Sequence, residues 1–215
     1  PYGMPKNLSV VPQDMDMDMI MLGAMYAPTD QITFMSMTIF NAKSMNLRTY
    51  QPMMNRNALG NFSTKSSELS IINLSALLKI YDKDNSKFHA QIGIEKNIGK
   101  SDAKGQVLMP MGNVGSIVMP YGMQGGDKSL SLLSAITYTK TYGVWKMGGQ
   151  IRSKTNIKNK EWNFGDSDEL NIWGQRDINN ISAWSLRVKV QDIKPIDGAD
   201  KNIRAPVQTA DPMNY

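Results

Sequence analysis

The sequence contains no cysteine, which excludes disulfides, thiolate metal sites and cysteine nucleophiles. His89 is the single histidine, so neither a Ser-His-Asp triad nor a histidine-rich metal site is expected. No run of 18 apolar residues is present, so no transmembrane helix is predicted, and Pro1 does not begin a signal peptide. The net charge is +5, but the basic residues are scattered, which argues against nucleic-acid binding.

Methionine is the residue in excess, with 17 in the chain, many of them near the amino terminus. Residues 14–22 read DMDMDMIML, and this period-two alternation predicts a β-strand, whose successive side chains point to opposite faces. One face of this strand carries only methionine and glycine. The other face is acidic at first and apolar afterwards: Asp14, Asp16 and Asp18 are followed by Ile20, Leu22, Ala24 and Tyr26.

Similar alternation recurs along the chain and predicts eight strands, with almost no helical period. The predicted strands cover residues 14–26, 31–41, 68–81, 87–97, 129–140, 144–155, 168–176 and 181–193. The connections alternate between tight turns and longer segments, the longer ones at 42–67, 98–128 and 156–166. Strands with one apolar and one polar face, joined in this alternating way, are typical of an outer-membrane β-barrel. We therefore predict an all-β, antiparallel transmembrane barrel, with a soluble or extracellular β-sheet protein as the alternative.

Four segments also resemble a family of bacterial outer-membrane proteins, the meta-pathway phenol-degradation transporter family. They are DMDMDMIMLGAMYAPTDQITFMSM at 14–37, MPYGMQ at 119–124, DELNIWGQRDI at 168–178 and PVQTADP at 206–212. The resemblance spans nearly the whole chain and implies a barrel in the outer membrane that passes small, often aromatic molecules. It also implies further strands on both sides of this segment. Residues 1–215 are thus expected to form a single barrel domain, truncated at both ends, in a barrel of about twelve strands.

Loop placement leads to the same expectation. Eight strands with short turns after the odd-numbered ones put both chain ends on the long-loop side, whereas bacterial barrels keep their ends with the short turns. An odd number of strands should therefore be missing at each end. Tyr26, Tyr81, Tyr138 and Tyr142 fall near the short-turn ends of their strands, where an interfacial aromatic girdle would lie.

In such a barrel the face opposite the apolar one lines a lumen. The predicted lumen-lining residues are Met15, Met17, Met19, Met21, Met25, Met35, Met37, Asn73, Lys79, Gln91, Glu95, Arg152, Arg187 and Lys189. Three interpretations of the methionine wall stay open: packing, a surface for small aromatic solutes, and binding of Cu(I), which thioethers select. Lys79, Arg152, Arg187 and Lys189 are expected to attract anionic groups into the lumen.

The predicted function is passage of small, moderately apolar organic molecules across the bacterial outer membrane. No nucleophile–base pair, acid–base pair or metal cluster stands out at strand spacing, so we predict no enzymatic activity, no cofactor and no bound metal. The expected partners are the lipid bilayer, lipopolysaccharide and small organic solutes, without nucleic acid. The alternatives are a copper-related channel, a barrel partnered with an envelope complex, and a plugged barrel with a structural role.

Overall fold

The computed structural model describes residues 9–52, 57–158, 161–179 and 181–203. These residues are almost entirely β-structure, with a single 3-10 turn at Tyr121–Met123. No helix among them is long and apolar enough to cross a membrane. The strands are β1 (Val10–Tyr26), β2 (Ile32–Tyr50), β3 (Ala58–Lys83), β4 (Ser86–Asn97), β5 (Lys104–Leu108), β6 (Val114–Val118), β7 (Leu130–Tyr142), β8 (Trp145–Lys158), β9 (Trp162–Asn163), β10 (Ser167–Asp177), β11 (Ala183–Ile193) and β12 (Asp197–Gly198).

Eight of these strands form one antiparallel sheet that curves into a half-barrel. Their order in the sheet is β1-β2-β3-β4-β7-β8-β10-β11, so every strand lies beside the one that precedes it in the main sheet. β5 pairs with β6, and β9 pairs with β12, in two small separate sheets. The prediction of an all-β, antiparallel fold with eight main strands is confirmed.

Local turn chemistry explains where the short connections fall. Asp84 and Asn85 both have positive φ, 51° and 61°, which the two-residue type I′ turn between β3 and β4 requires. Thr29 Oγ1 accepts hydrogen bonds from the amides of Gln31 and Ile32 and so closes the turn between β1 and β2. The tight turns predicted from the sequence therefore lie at the predicted places.

The predicted long segment at 42–67 is wrong. β2 continues to Tyr50 and β3 already begins at Ala58, so only a short connection joins a pair of strands of 19 and 26 residues. Both strands are therefore longer than the strands predicted at 31–41 and 68–81. The extension was not predicted because the apolar residues change face along β2: Phe34 and Phe40 point outward, whereas Met45 and Leu47 point inward. Residues 41–44, between these two patterns, are polar or small and interrupt the alternation that marks a strand.

The two faces of the half-barrel have opposite character. The face carrying Asn73, Glu95 and Asn171, which we call the inward face, is polar, and these three side chains are only 5–8% exposed. The opposite, outward face is apolar and exposed: Ile151 is 64% exposed and Leu186 is 65% exposed. A soluble sheet protein buries its apolar face. The half-barrel instead exposes its apolar face and buries polar side chains on the other face.

The apolar band on the outward face shifts steadily from strand to strand. On β1 it runs from Ile20 to Tyr26, and on β11 it runs from Trp184 to Val190. The row of paired residues that starts at Tyr26 ends at Asp192 after seven steps, through Phe34, Ala76, Ile92, Ser134, Ser153 and Asp168. On β11 the band ends at Trp184, which is eight residues from Asp192. The end of the band has thus moved by eight residues over these seven steps. With a rise of about 3.3 Å and a strand spacing of about 4.8 Å, this corresponds to a tilt of about 38°, and barrel strands are tilted by about 35–45°.

Above the band, the β2–β3 extension has its own small apolar core on the inward face. Met45 and Leu47 pack there against Met119 and Met123 of the connection between β4 and β7. A second cluster joins Tyr121 of the same connection to Trp162 and Ile203. Residues 98–129 therefore fold against the inward side of the sheet as a cover, which we call the cap.

One glycine on the inward face is required by a close contact. A Cβ atom at Gly148 would lie 2.4 Å from the indole of Trp173. We expect Gly148→Val to cost about 1–3 kcal/mol of unfolding free energy through overpacking. Gly174→Val is the matched control, because a Cβ atom there meets nothing within 4 Å. Urea unfolding of the two variants in detergent measures the difference, and equal stabilities would contradict the contact.

Candidate functional site on the inward face

All fourteen residues predicted to line a lumen lie on the inward face. Met35 is paired with Met25 and with Ser75, and Met37 is paired with Asn73, which is paired with Glu95. When paired residues are followed from strand to strand, Lys79 lies in the same row as Lys189, and Gln91 lies in the same row as Arg152. The pairing of β1 with β2 is regular from Asp14 onward, so all five predicted methionines of β1 share the face of Met35. Whether this face encloses a lumen stays a prediction.

The methionines of β1 are not packed into a core formed by the described residues. Met17, Met21 and Met25 are 54%, 59% and 72% exposed. Packing describes the buried Met119 and Met123 of the cap well. All three interpretations of the methionine wall stay open for the methionines of β1, which is the edge strand of the sheet.

Opposite the methionines, the inward face is crossed by ion pairs. Lys154 Nζ lies 2.6 Å from Glu95 Oε1, and the Glu95 side chain is 8% exposed. Lys189 Nζ lies 2.6 Å from Glu169 Oε2, and Asn171 donates a further hydrogen bond to Glu169. These carboxylates sit among cations and amides, which is the condition for a buried charge to be tolerated.

The ion pairs make the wall less basic than the sequence predicted. Lys79 is paired with Asp82 at 3.6 Å and Lys189 with Glu169, so two of the four expected attracting cations are partly neutralised. The eight main strands place seven basic and four acidic residues on the inward face beneath the extension, a net of +3. These are Lys79, Lys87, Lys146, Arg152, Lys154, Arg187 and Lys189, against Asp82, Glu95, Glu169 and Asp177.

Arg187 is held by an aromatic contact. Its guanidinium carbon lies 5.4 Å from the centroid of the Trp173 ring, and Trp173 in turn lies over Gly148. A guanidinium on an indole face is a favourable cation–π arrangement. The Trp173 ring therefore holds the Arg187 guanidinium in a defined position on the inward face.

The cap is fastened to β2 and β3 through three consecutive backbone carbonyls. Lys43 Nζ donates to the carbonyls of Gly122 and Gln124, at 2.9 and 2.7 Å, and Ser66 Oγ donates to that of Met123 at 2.9 Å. Burial lowers the pKa of Lys43, and the charge of Glu68 opposes this effect. Lys43 therefore has a structural role, because its ammonium group holds the cap against β2.

Several contributors to the site were not among the predicted residues. Glu169 and Lys154 alternate in phase with Asn171 and Arg152, so their position on the polar face could have been found from the period alone. Lys43 could not, because it lies in the segment that was taken for a loop. The described residues contain no group of three or more His, Cys, Asp or Glu side chains that could hold a metal ion. The inward face therefore offers thioethers, paired charges and amides for binding.

No protein-family model and no curated protein matches this chain. The resemblance to the phenol-degradation transporter family therefore stays a prediction.

Proposed function

We propose that the half-barrel is part of an outer-membrane β-barrel that passes small, moderately apolar organic molecules along its inward face. The observation that carries the proposal is the change of the outward surface along β2 and β3. Phe34 and Phe40 of β2 lie outward in the apolar band, whereas Asn46 and Arg48 of the extension lie outward above it. A strand that leaves hydrocarbon and enters water needs this change.

The inward side supports the same proposal. In the band, the inward residues include Asn73 and Glu95, and in the extension they include Met45 and Leu47. The extension is thus arranged like an ordinary water-soluble hairpin with an apolar core beneath it. The band is arranged for an apolar surrounding outside and a polar interior.

Outward aromatic residues at the short-turn ends fit an interfacial girdle. Trp145 and Trp184 meet edge to face with ring centroids 5.7 Å apart, and Arg176 lies over the Trp145 ring at 5.4 Å. Tyr26 and Tyr142 lie at the same ends of β1 and β7. Such amphipathic side chains are enriched where a membrane meets water.

Further strands would complete the barrel. Neither β1 nor β11 has a second neighbour among the described strands, so each presents a row of unpaired backbone groups. Such an edge is not tolerated in hydrocarbon, where each unpaired group costs several kcal/mol. A barrel of about twelve strands, closed by strands that pair with these two edges, meets this requirement.

The proposed path for solutes runs between the methionine row of β1 and the charged wall of β8, β10 and β11. Weak sulfur–aromatic contacts of about 0.3–1.5 kcal/mol would let aromatic solutes slide along the thioethers without being held. The net positive charge of the opposite wall would favour anionic forms such as phenolates and carboxylates. The likeness to the transporter family points to the same class of solute.

Uptake of a phenolic acid into liposomes tests the proposal. We expect uptake by the complete barrel that contains these strands, and a clear loss when Met19, Met21, Met35 and Met37 are changed together to Asp, because four carboxylates would repel the anion. The matched control, Ser44→Asp, Asn46→Asp, Ser63→Asp and Ser67→Asp, adds the same charge to the outward face of the extension. Equal uptake by the two variants would reject the methionine wall as the path.

A further inference from the structure

A gap in the side chains of the inward face lies at Gly23, in the middle of the methionine row. Gly23 is paired with Met37, and the next inward pair along the strands is Met25 with Met35. A Cβ atom at Gly23 would have a single neighbour within 4 Å, the carbonyl oxygen of Ser36 at 3.7 Å. The missing side chain therefore leaves room on this face.

Four thioethers surround this gap. Directly paired residues of an antiparallel sheet have Cβ atoms about 4.5–5.5 Å apart, and diagonal neighbours lie about 7–8 Å apart. Met25 and Met35 form a direct pair, and Met37 has Met21 and Met25 as its diagonal neighbours. Since a methionine side chain has three rotatable bonds, three or four of these sulfur atoms can converge on one point above Gly23. We call this arrangement the Gly23 notch.

The surroundings of the notch contain soft ligands and little charge. On β1 to β4, the three inward rows that include Met21, Gly23 and Met25 carry Glu95 as their one charged residue. A cation in the notch would therefore not face a lysine or arginine in those rows. Met21 and Met25 are more than half exposed, so the notch is accessible from the inward side.

We infer that the Gly23 notch is a binding site for a soft monovalent metal ion, Cu(I) or Ag(I), held by the sulfur atoms of Met25, Met35 and Met37 with Met21 beside them. Thioethers select such ions over the harder divalent metals. The inference rests on the β1–β2 pairing and not on solute transport.

Neutral thioethers carry no proton that the metal must displace. Affinity at the notch should therefore be unchanged between about pH 5 and pH 8, whereas imidazole and thiolate sites lose affinity as they become protonated. This pH profile separates the notch from binding at His89.

Titration of the purified, detergent-solubilised chain with Ag(I), and with Cu(I) buffered by a chromophoric chelator, tests the inference. We expect one tight ion per chain, accompanied by shifted NMR signals from the methyl groups of Met25, Met35 and Met37. Removing a residue that only hydrogen-bonds to a metal ligand typically lowers metal affinity by about 10–100-fold. The triple change Met25→Leu, Met35→Leu and Met37→Leu removes the ligands themselves, so it should lower the affinity by more than about 100-fold.

Two further variants keep the test decisive. Met111→Leu with Met147→Leu removes two exposed methionines outside the notch and should leave binding unchanged. Gly23→Val keeps every sulfur atom but fills the gap, and it should weaken binding while circular dichroism shows the parent fold. Absence of a tight ion in the parent, or equal losses in the triple variant and the Met111 and Met147 control, would overturn the inference.

Discussion

Lys154→Met should lower the unfolding free energy by about 3 kcal/mol, because it leaves the Glu95 carboxylate buried without its cation. The two side chains are 22% and 8% exposed, and their charged atoms lie 2.6 Å apart. Removal of one member of a buried pair typically costs about 3–5 kcal/mol. We place this pair at the lower end because Lys154 keeps some contact with solvent. Urea unfolding in detergent, followed by tryptophan fluorescence, measures the change.

Two controls isolate the cause. Glu95→Gln combined with Lys154→Met removes both charges and should recover most of the loss. Lys146→Met breaks the exposed pair between Lys146 and Asp177, whose side chains are 51% and 37% exposed, and should leave the unfolding free energy nearly unchanged because solvent screens that pair. A Lys154 variant no less stable than the Lys146 variant would show that Glu95 reaches water in the folded protein.

Ile172→Lys should lower the unfolding free energy of the complete barrel in lipid vesicles by about 2–4 kcal/mol, since it places a charge in the middle of the apolar band of β10. Ile172 points outward and is 55% exposed in the chain. In a soluble protein, a lysine at such an exposed position would change stability by only about 0.5 kcal/mol. The same substitution thus separates the membrane barrel from the soluble sheet.

Ser153→Lys is the depth control for this experiment. Ser153 also points outward, but it lies in the row of Asp168 and Asp192, at the polar margin of the band. Near an interface, a lysine costs about 0–1 kcal/mol. Reversible unfolding from vesicles gives both values. Equal, small costs at Ile172 and Ser153 would favour the soluble alternative.

The predicted strands succeeded where one face differed sharply from the other. In β4, Phe88, Ile92 and Ile94 alternate with His89 and Gln91, so the strand and its two faces were both predicted correctly. Tight turns such as Asp84–Asn85 then determined which strands are neighbours. Because alternation assigns every residue to a face, all fourteen candidate residues could be placed together before the fold was known.

The interactions between these residues could not be predicted in the same way. Glu95 on β4 reaches Lys154 on β8 past the intervening β7, where Ser131 is the residue paired with Glu95. The contact is diagonal, because Lys154 is itself paired with Leu133, and it depends on the strand order, which no local pattern records. The cap could not be predicted from the sequence either, because residues 98–129 are held in place by long-range hydrogen bonds such as that from Lys43 to the carbonyl of Gly122.

The change of surface along β2 also bears on how faithfully the hairpin of β2 and β3 forms. If β2 slipped by one residue against β3, every side chain would move to the other face. Asn41 and Lys43 would then point outward, while Met45 and Leu47 would leave the cap for solvent. The slip would be unfavourable at both ends of the strand, because polar side chains would point outward at the band and apolar side chains would be exposed to water in the extension. For a strand of 19 residues, long enough to pair in many wrong alignments, this excludes every alignment shifted by an odd number of residues.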